Sequence, residues 1–292
     1  MSKLIFGCGY LGRRVARSWR DAGHEVFVVT RSAERAKEFS HSGYRPIVAD
    51  VLRPASLMNL PLVETILYAV GHDRAAGHSI RDVFVGGLQA VLDALPDDSS
   101  KLIYISSTGV YGQSHGEWVD ELSPCEPHRE GGRACLEAER TLAAHRLGKR
   151  SIVLRMAGLY GPGRIPRAVE LRAGDPIAAP TEGVLNLIHV DDGASVVLAA
   201  NLRAPLPRLY AVSDGHPVER RAYFEELARL LDASAPRFEP PPADAPAAMR
   251  AVADKRVKNA RLLAELGVTL AYPSYRDGLA AIVAADGATA GG

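Results

Sequence analysis

The first twelve residues restrict the possible folds of this chain more than any other stretch. Residues 3–6 form a short apolar run, residues 7–12 read Gly-Cys-Gly-Tyr-Leu-Gly, and a helical pattern follows. A strand, a Gly-x-Gly-x-x-Gly turn and a helix in this order are typical of dinucleotide-binding folds. Gly7 lets the chain turn off the strand, Gly9 lets a pyrophosphate approach the backbone, and Gly12 allows close helix packing. The N–H groups of the first helical turn then bind the phosphates.

The first half of the chain alternates between apolar strands and amphipathic helices. Strands that are nearly all apolar indicate a parallel sheet covered on both faces, and right-handed crossovers make it doubly wound. We therefore predict an α/β fold with a doubly wound parallel (Rossmann) sheet and a small C-terminal substrate lobe. The predicted dinucleotide-binding domain is 1–158, with 185–213 returning to it; the lobe is 159–184 and 214–285, and the flexible tail is 286–292.

Charge and composition exclude several classes of protein. The net charge of +1 gives no reason to expect nucleic acid or an anionic membrane as a partner. The three cysteines are scattered, which fits reduced thiols and predicts no metal site. No apolar run reaches the roughly 18 residues that a membrane span needs, and the first strand leaves no room for a signal peptide. We expect a cytoplasmic protein with a small-molecule substrate, and leave a homodimer open.

The end of the second predicted strand bears on the choice of dinucleotide. An NAD-preferring site places an acid about 20 residues past the glycines, but residues 30–32 read Thr-Arg-Ser. Arg31, with Ser32 and Arg35, would attract a 2′-phosphate, which favours NADP(H) over NAD(H); the alternative is a solvated helix start. Asp50 either meets the adenine side or caps a turn. The predicted cofactor-binding residues are Gly7, Gly9, Tyr10, Leu11, Gly12, Arg31, Ser32, Asp50, Val51, Ala69, Val70 and Ser106.

Further motifs follow in order along the chain. Residues 105–112 read Ile-Ser-Ser-Thr-Gly-Val-Tyr-Gly, 154–163 read Leu-Arg-Met-Ala-Gly-Leu-Tyr-Gly-Pro-Gly, and 186–192 read Asn-Leu-Ile-His-Val-Asp-Asp. Together with the glycine turn, these motifs resemble the extended short-chain dehydrogenase/reductase superfamily, in its branch of NAD(P)-dependent epimerase/dehydratase-like proteins. The resemblance covers almost the whole chain. It implies a Rossmann fold, a bound nicotinamide dinucleotide and, at Ser107, a hydroxyl that binds substrate.

One departure from this family puts catalysis in doubt. The family's active-site helix carries Tyr-x-x-x-Lys, in which the tyrosine transfers a proton and the lysine lowers its pKa. Residues 131–139 here read Gly-Gly-Arg-Ala-Cys-Leu-Glu-Ala-Glu, with Gly131 at the tyrosine position and Cys135 at the lysine position. No lysine lies between Lys101 and Lys149 to substitute. The chain therefore resembles the superfamily's atypical members, which lack the usual pair.

Several residues remain as candidates for the chemistry. Ser107 either contacts substrate or satisfies backbone groups at the end of its strand. Tyr111 would need a nearby cation, such as Arg133, to take over proton transfer, and the alternative is packing. Nothing in the sequence suggests the depressed pKa that Cys135 would need as a nucleophile.

A charged tripeptide follows the fourth predicted strand, where cofactor and substrate should meet. His72, Asp73 and Arg74 would bind an anionic substrate or act in acid/base chemistry; the alternative is a salt-bridged loop. For Asn186 and Asp191 we predict mainly structural roles. The predicted catalytic residues are Ser107, Tyr111, Asp73 and Arg74.

Two functions fit this set of residues. The first is an NADP-dependent oxidoreductase or epimerase acting on a small polar or sugar-like substrate with a non-standard proton donor. The second is a catalytically silent NAD(P)-binding regulator or assembly protein. Gly131 and Cys135 favour the second, and the ordered substrate-side motifs favour the first.

Overall fold

The computed structural model describes residues 1–99, 101–242 and 254–290, with side chains up to residue 286. The strands are β1 (Ser2–Phe6), β2 (Glu25–Thr30), β3 (Arg45–Val48), β4 (Thr65–Tyr68), β5 (Lys101–Ser107), β6 (Glu117–Val119), β7 (Ser151–Met156), β8 (Gly158–Tyr160), β9 (Ile177–Ala178), β10 (Val184–Leu185), β11 (Leu187–His189), β12 (Arg208–Val212), β13 (Val218–Glu219), β14 (Phe238–Glu239) and β15 (Lys255–Val257). The helices are α1 (Gly12–Asp21), α2 (Ala33–His41), α3 (Gly87–Ala94), α4 (Glu130–Ala144), α5 (Ala168–Ala173), α6 (Val190–Arg203), α7 (Arg220–Leu230), α8 (Ala260–Leu266) and α9 (Tyr275–Ala290).

A seven-stranded parallel sheet forms the centre of the protein, in the order β12-β7-β5-β4-β1-β2-β3. The prediction of a doubly wound parallel sheet is therefore confirmed. The strand order reverses beside β1, because β2 and β3 lie on one side of it and β4 on the other. In open parallel sheets such a reversal opens a crevice at the carboxyl ends of the strands, where ligands bind.

Apolar side chains cover both faces of this sheet. On one face Val15 of α1 and Val196 of α6 are fully buried, and on the other Leu88 of α3 and Leu142 of α4 are fully buried. Burial on both faces explains why the strands read as continuous apolar runs rather than alternating patterns. No helix in the described part of the chain is long and apolar enough to cross a membrane.

The second half of the chain partly returns to the sheet. Strand β12 pairs in parallel with β7 at the sheet edge. Short two-stranded pairings of β8 with β11, β10 with β13, β9 with β14 and β6 with β15 tie the later segments together. The predicted division into a dinucleotide domain and a substrate lobe stays a prediction. The backbone of α9 is helical to Ala290, beyond residue 286 where the sequence suggests a flexible tail, and residues 291–292 lie outside the described chain.

Candidate active site

One large cleft of about 1160 Å³ lies over the carboxyl ends of β1, β4 and β5. The glycine turn after β1 lines one part of it, and Ser107, Gly131 and Cys135 line another. The two halves of the expected site are therefore walls of the same cavity. This follows from the sheet, since the carboxyl ends of neighbouring parallel strands share one edge.

The glycine turn has the geometry of a phosphate cradle. Gly7 has φ +86°, and a Cβ there would collide with the Ala69 carbonyl at the end of β4. A Cβ on Gly12 would collide with the Gly7 carbonyl, so this glycine is needed for the turn itself as well as for helix packing. Apart from Gly9 and its two chain neighbours, no described residue has an atom within 4 Å of the Cβ position on Gly9, which leaves that backbone open to a ligand. The turn is closed by a 2.8 Å hydrogen bond from the Gly9 N–H to the Gly7 carbonyl.

Two arginines after β2 line the cleft, as the hypothesis of 2′-phosphate binding requires. The Arg31 guanidinium lies 3.5 Å from the Asp73 carboxylate, and both side chains are more than half exposed. Arg35 donates to the Cys8 carbonyl at 3.4 Å, which holds its guanidinium beside the glycine turn. Ser32 lies outside the cleft lining, and its hydroxyl caps α2 by accepting the Arg35 N–H at 3.2 Å.

The other residues predicted to contact the cofactor all line the cleft, and some of their side chains also form hydrogen bonds within the protein. Asp50 lines the cleft while its carboxylate accepts the Leu52 N–H at 3.0 Å, which caps the turn; its contact with the adenine side stays a prediction. Tyr10 donates to the Pro162 carbonyl at 3.1 Å, and its ring lies under the Arg164 guanidinium. The other members of the predicted set that line the cleft are Leu11, Val51, Ala69, Val70 and Ser106.

Ser107 ends β5 and faces the cleft. Its hydroxyl oxygen accepts the Gly109 N–H at 3.0 Å, which fixes the side chain and leaves its own hydrogen available as a donor. The two alternatives for Ser107 are therefore compatible, because the backbone bond uses only its acceptor side.

Gly131 and Cys135, which the motif register predicts at the family's Tyr and Lys positions, both line the cleft. A Cβ on Gly131 would lie 3.2 Å from the Ile80 side chain, so an apolar wall borders the space that a tyrosine would enter. Burial raises the pKa of the Cys135 thiol to about 12, and the Glu139 charge adds to this. At neutral pH the thiol is protonated, so it supplies neither the lysine's charge nor a nucleophilic thiolate.

Tyr111 packs in the core and does not line the cleft. The short helical turn at residues 108–110 directs it inward, where its hydroxyl accepts from Arg155 at 3.1 Å. Burial raises its pKa to about 12 despite the neighbouring guanidinium. The cation proposed for it from sequence, Arg133, instead donates to the His128 carbonyl at 2.6 Å.

The tripeptide after β4 is split between two environments. His72 Nε2 lies 2.9 Å from the His78 carbonyl, so its ring braces the loop. Asp73 accepts the Ala75 N–H at 3.1 Å and pairs with Arg31 across the cleft rather than with its neighbour Arg74. All three line the cleft, with Asp73 on the side of the β2 arginines.

Asn186 and Asp191 form hydrogen bonds and ion pairs with other parts of the protein. Asn186 donates to the Lys255 carbonyl at 2.8 Å and accepts the Val257 N–H at 2.7 Å, which attaches β15. Asp191 forms an ion pair with Arg14 of α1. Neither residue lines the cleft.

Comparison with known proteins agrees with this architecture. The model of the NAD-dependent epimerase/dehydratase family matches residues 4–212. The chain belongs to this family. The resemblance of the motifs to epimerase/dehydratase-like proteins is thereby confirmed, and the glycine turn and Ser107 lie within the matched region.

Several individual proteins are similar to this epimerase/dehydratase family member. Protein YeeZ of Escherichia coli (strain K12) is 32% identical over 198 residues, which span 66% of this chain and 66% of YeeZ. A structure from Methylobacillus flagellatus, provisionally described as an NAD-dependent epimerase/dehydratase, has TM-score 0.77 and 34% identity over 98% of each chain. A conserved protein of unknown function from Silicibacter pomeroyi DSS has TM-score 0.78 and 29% identity over 97% of this chain and 98% of its own.

A more distant likeness concerns the fold alone. The UDP-glucose 4-epimerase of Thermotoga maritima, solved with UDP-glucose, has TM-score 0.84 at 19% identity. It covers 99% of this chain and 100% of its own. The described part of this family member thus shares its fold with that epimerase although the two sequences are only 19% identical.

This family member contains a buried network of Arg155, Glu139 and Ser106 that the sequence analysis did not predict. Arg155 of β7 donates to both carboxylate oxygens of Glu139 on α4, at 3.0 and 2.7 Å, and the Ser106 hydroxyl also donates to Glu139. Both charged side chains are less than a tenth exposed. Burial lowers the pKa of Arg155, but its hydrogen bonds and charge interaction with Glu139 more than offset this and raise it overall. The sequence offered one signal for this network, because Arg155 lies within a mostly apolar strand. A charge buried in such a strand needs a partner of opposite charge.

Proposed function

We propose that this chain binds NADP(H) in the cleft and acts as an oxidoreductase or epimerase on a small polar substrate, with a non-standard proton donor. The observation that carries the proposal is the continuity of one cavity from the glycine turn and Arg31 to Ser107. A binding site for a dinucleotide and a place for substrate therefore share one volume. The sugar nucleotide in the structure of the Thermotoga maritima epimerase supports a polar substrate by analogy of fold only.

The residues present fit a dinucleotide with a 2′-phosphate. The open backbone at Gly9 and the start of α1 would hold the pyrophosphate. Arg31 and Arg35 would bind the 2′-phosphate by charge-assisted hydrogen bonds, and Asp50 would lie on the adenosine side. When bound, the nicotinamide ring supplies or accepts a hydride.

Ser107 would bind the substrate oxygen at the reacting carbon. Its oxygen accepts the Gly109 N–H, so its own hydrogen stays available for donation to a ligand in the cleft. Because position 131 holds glycine, the proton comes from another cleft group or from solvent. The cleft walls carry the ionisable side chains His72, His128 and Glu130.

The alternative, a catalytically silent nucleotide-binding protein, is favoured by Gly131 and the protonated Cys135. An activity assay distinguishes the enzyme from the silent protein. The protein is mixed with NADPH and each of a panel of small carbonyl compounds, and hydride transfer is measured by the absorbance of the nicotinamide. Turnover that disappears in Ser107→Ala supports the enzyme. Tight NADPH binding without turnover on any compound supports the silent protein.

The first prediction concerns the choice of dinucleotide. Arg31→Ala is expected to weaken NADPH binding about 10- to 100-fold and to change NADH binding by less than about twofold, because one charge-assisted phosphate contact is lost. Fluorescence titration of both nucleotides measures this. Arg45→Ala is a matched control, since Arg45 pairs with Glu25 on the sheet surface away from the cleft. Tighter binding of NADH than NADPH to the unaltered protein would contradict the assignment.

The second prediction concerns the carboxylate opposite Arg31. Asp73→Asn is expected to tighten NADPH binding by about two- to fivefold, because an exposed ion pair no longer competes with the 2′-phosphate for Arg31. NADH affinity should stay the same, and the same titration reports both values. Weaker NADPH binding in Asp73→Asn would instead mean that Asp73 orients Arg31 for the phosphate.

A further inference from the structure

Arg129 lies directly before α4, and no residue that the structure describes pairs with its charge. The residue is half-buried and lines the cleft, and within the described parts of the chain its guanidinium makes no ion pair or hydrogen bond. The next arginine, Arg133, differs because it donates to the His128 carbonyl. Its guanidinium donors therefore have no acceptor among the described residues and stay available to a ligand in the cleft. This is the state expected of a binding group before its ligand arrives.

Arg129 lies beside the hydroxyl predicted to bind substrate. The Ser107 oxygen and an Arg129 terminal nitrogen lie 3.1 and 3.4 Å from the point where a Cβ on Gly109 would stand. Both groups therefore border Gly109. A neutral hydroxyl and a cation lie near each other in the cleft that Gly131 also lines.

A second cation adds to the positive potential at this end. Lys255 of β15 is buried, and its ammonium donates to the Tyr111 carbonyl at 3.0 Å. Burial and the nearby Arg129 charge lower its pKa to about 8. No carboxylate pairs with either cation among the residues that the structure describes. The nearby carboxylate of Glu139 is already held by Arg155 and Ser106.

We propose that Arg129 binds an anionic group of the substrate, a carboxylate or a phosphoryl group, beside Ser107. The planar guanidinium fork matches two oxygens of such a group, while the single Ser107 hydrogen stays available for the oxygen at the reacting carbon. The substrate is then a small acid or phosphate ester rather than a neutral sugar. The proposal rests on the proposed function only in calling this ligand the substrate.

Anion binding by the NADPH-saturated protein tests this proposal. Malonate and inorganic phosphate are titrated separately by isothermal calorimetry, each against sodium chloride of equal ionic strength. We expect one of them to bind, with an affinity that falls at least tenfold in Arg129→Gln and less in Arg129→Lys. A stronger response to malonate assigns a carboxylate, and a stronger response to phosphate assigns a phosphoryl group.

The control variant is Arg133→Gln, on the same wall of the cleft, which should leave the affinity within about twofold. Binding of neither anion above chloride, or equal binding by Arg129→Gln and the unaltered protein, overturns the proposal. An equal loss in Arg133→Gln also overturns it, because the effect would then be general charge. If the protein does not bind NADPH, the proposed function is refuted. The anion-site proposal is then tested by the same titrations of the unaltered protein and Arg129→Gln without nucleotide.

Discussion

Glu139→Gln is expected to lower the free energy of unfolding by about 3–5 kcal/mol, the usual cost of removing one partner from a buried ion pair. The Arg155 guanidinium makes two hydrogen bonds to this carboxylate and is less than a tenth exposed. A glutamine offers it one neutral oxygen and leaves the charge buried. The Ser106 hydroxyl on the cleft wall loses the same charged acceptor. Urea denaturation followed by circular dichroism measures the change.

A matched control lies on the same helix. Glu137 pairs with Arg81 at the surface, and both side chains are more than two-fifths exposed. Glu137→Gln should therefore cost less than about 1 kcal/mol. Adding Arg155→Met to Glu139→Gln should recover part of the loss, because the uncompensated charge is removed. Equal effects of the two glutamine variants would show that the pair contributes no more than a surface pair.

The second large effect concerns the pH dependence of stability. Asp214 follows β12 and is buried, with one oxygen accepting the His216 N–H at 2.9 Å and the other unpaired within the described structure. Burial raises its pKa to about 7, against 3.8 for an ordinary aspartate, although the His216 N–H opposes this. The folded state therefore binds more protons than the unfolded state between these values, so stability falls as pH rises from about 4 to 7.

Asp214→Asn should remove the loss of folding stability between about pH 4 and 7, because an asparagine does not titrate. The stability of the variant relative to the unaltered protein should be higher at pH 8 than at pH 5 by about 2–3 kcal/mol, as the linkage relation gives for these pKa values. Urea denaturation of both proteins at the two pH values measures the difference. Asp175→Asn is the control, since Asp175 is exposed and should give the same change at both pH values. A difference below about 0.5 kcal/mol would mean that Asp214 titrates near its ordinary pKa.

Local features of the chain were predictable because their causes are local. The glycine turn follows from backbone sterics within residues 7–12, and the structure has the positive φ at Gly7 that only glycine adopts readily. The parallel sheet follows from apolar strands separated by helices. The placement of the Arg31 segment beside the glycine turn follows from both, because carboxyl ends of parallel strands meet at one edge. The assignment of Gly131 and Cys135 to the family's Tyr and Lys positions rests on the flanking residues and stays a prediction, and both residues line the cleft.

Which side chains pair was decided by tertiary structure. Arg155 and Glu139 lie on different elements, and Asp73 meets Arg31 across the cleft rather than its sequence neighbour. Tyr111 is four residues past Ser107, yet one short turn of the chain directs it into the core.

The sequence by itself determined the strand–turn–helix start and the parallel sheet, because each depends on neighbouring residues and on the period of apolar positions. Only the tertiary structure decided that Arg129 has no charge partner among the described residues and that Asp214 is buried. The physical reason is that desolvation and charge pairing act through space. They depend on distances between elements far apart in the chain, which no local pattern encodes.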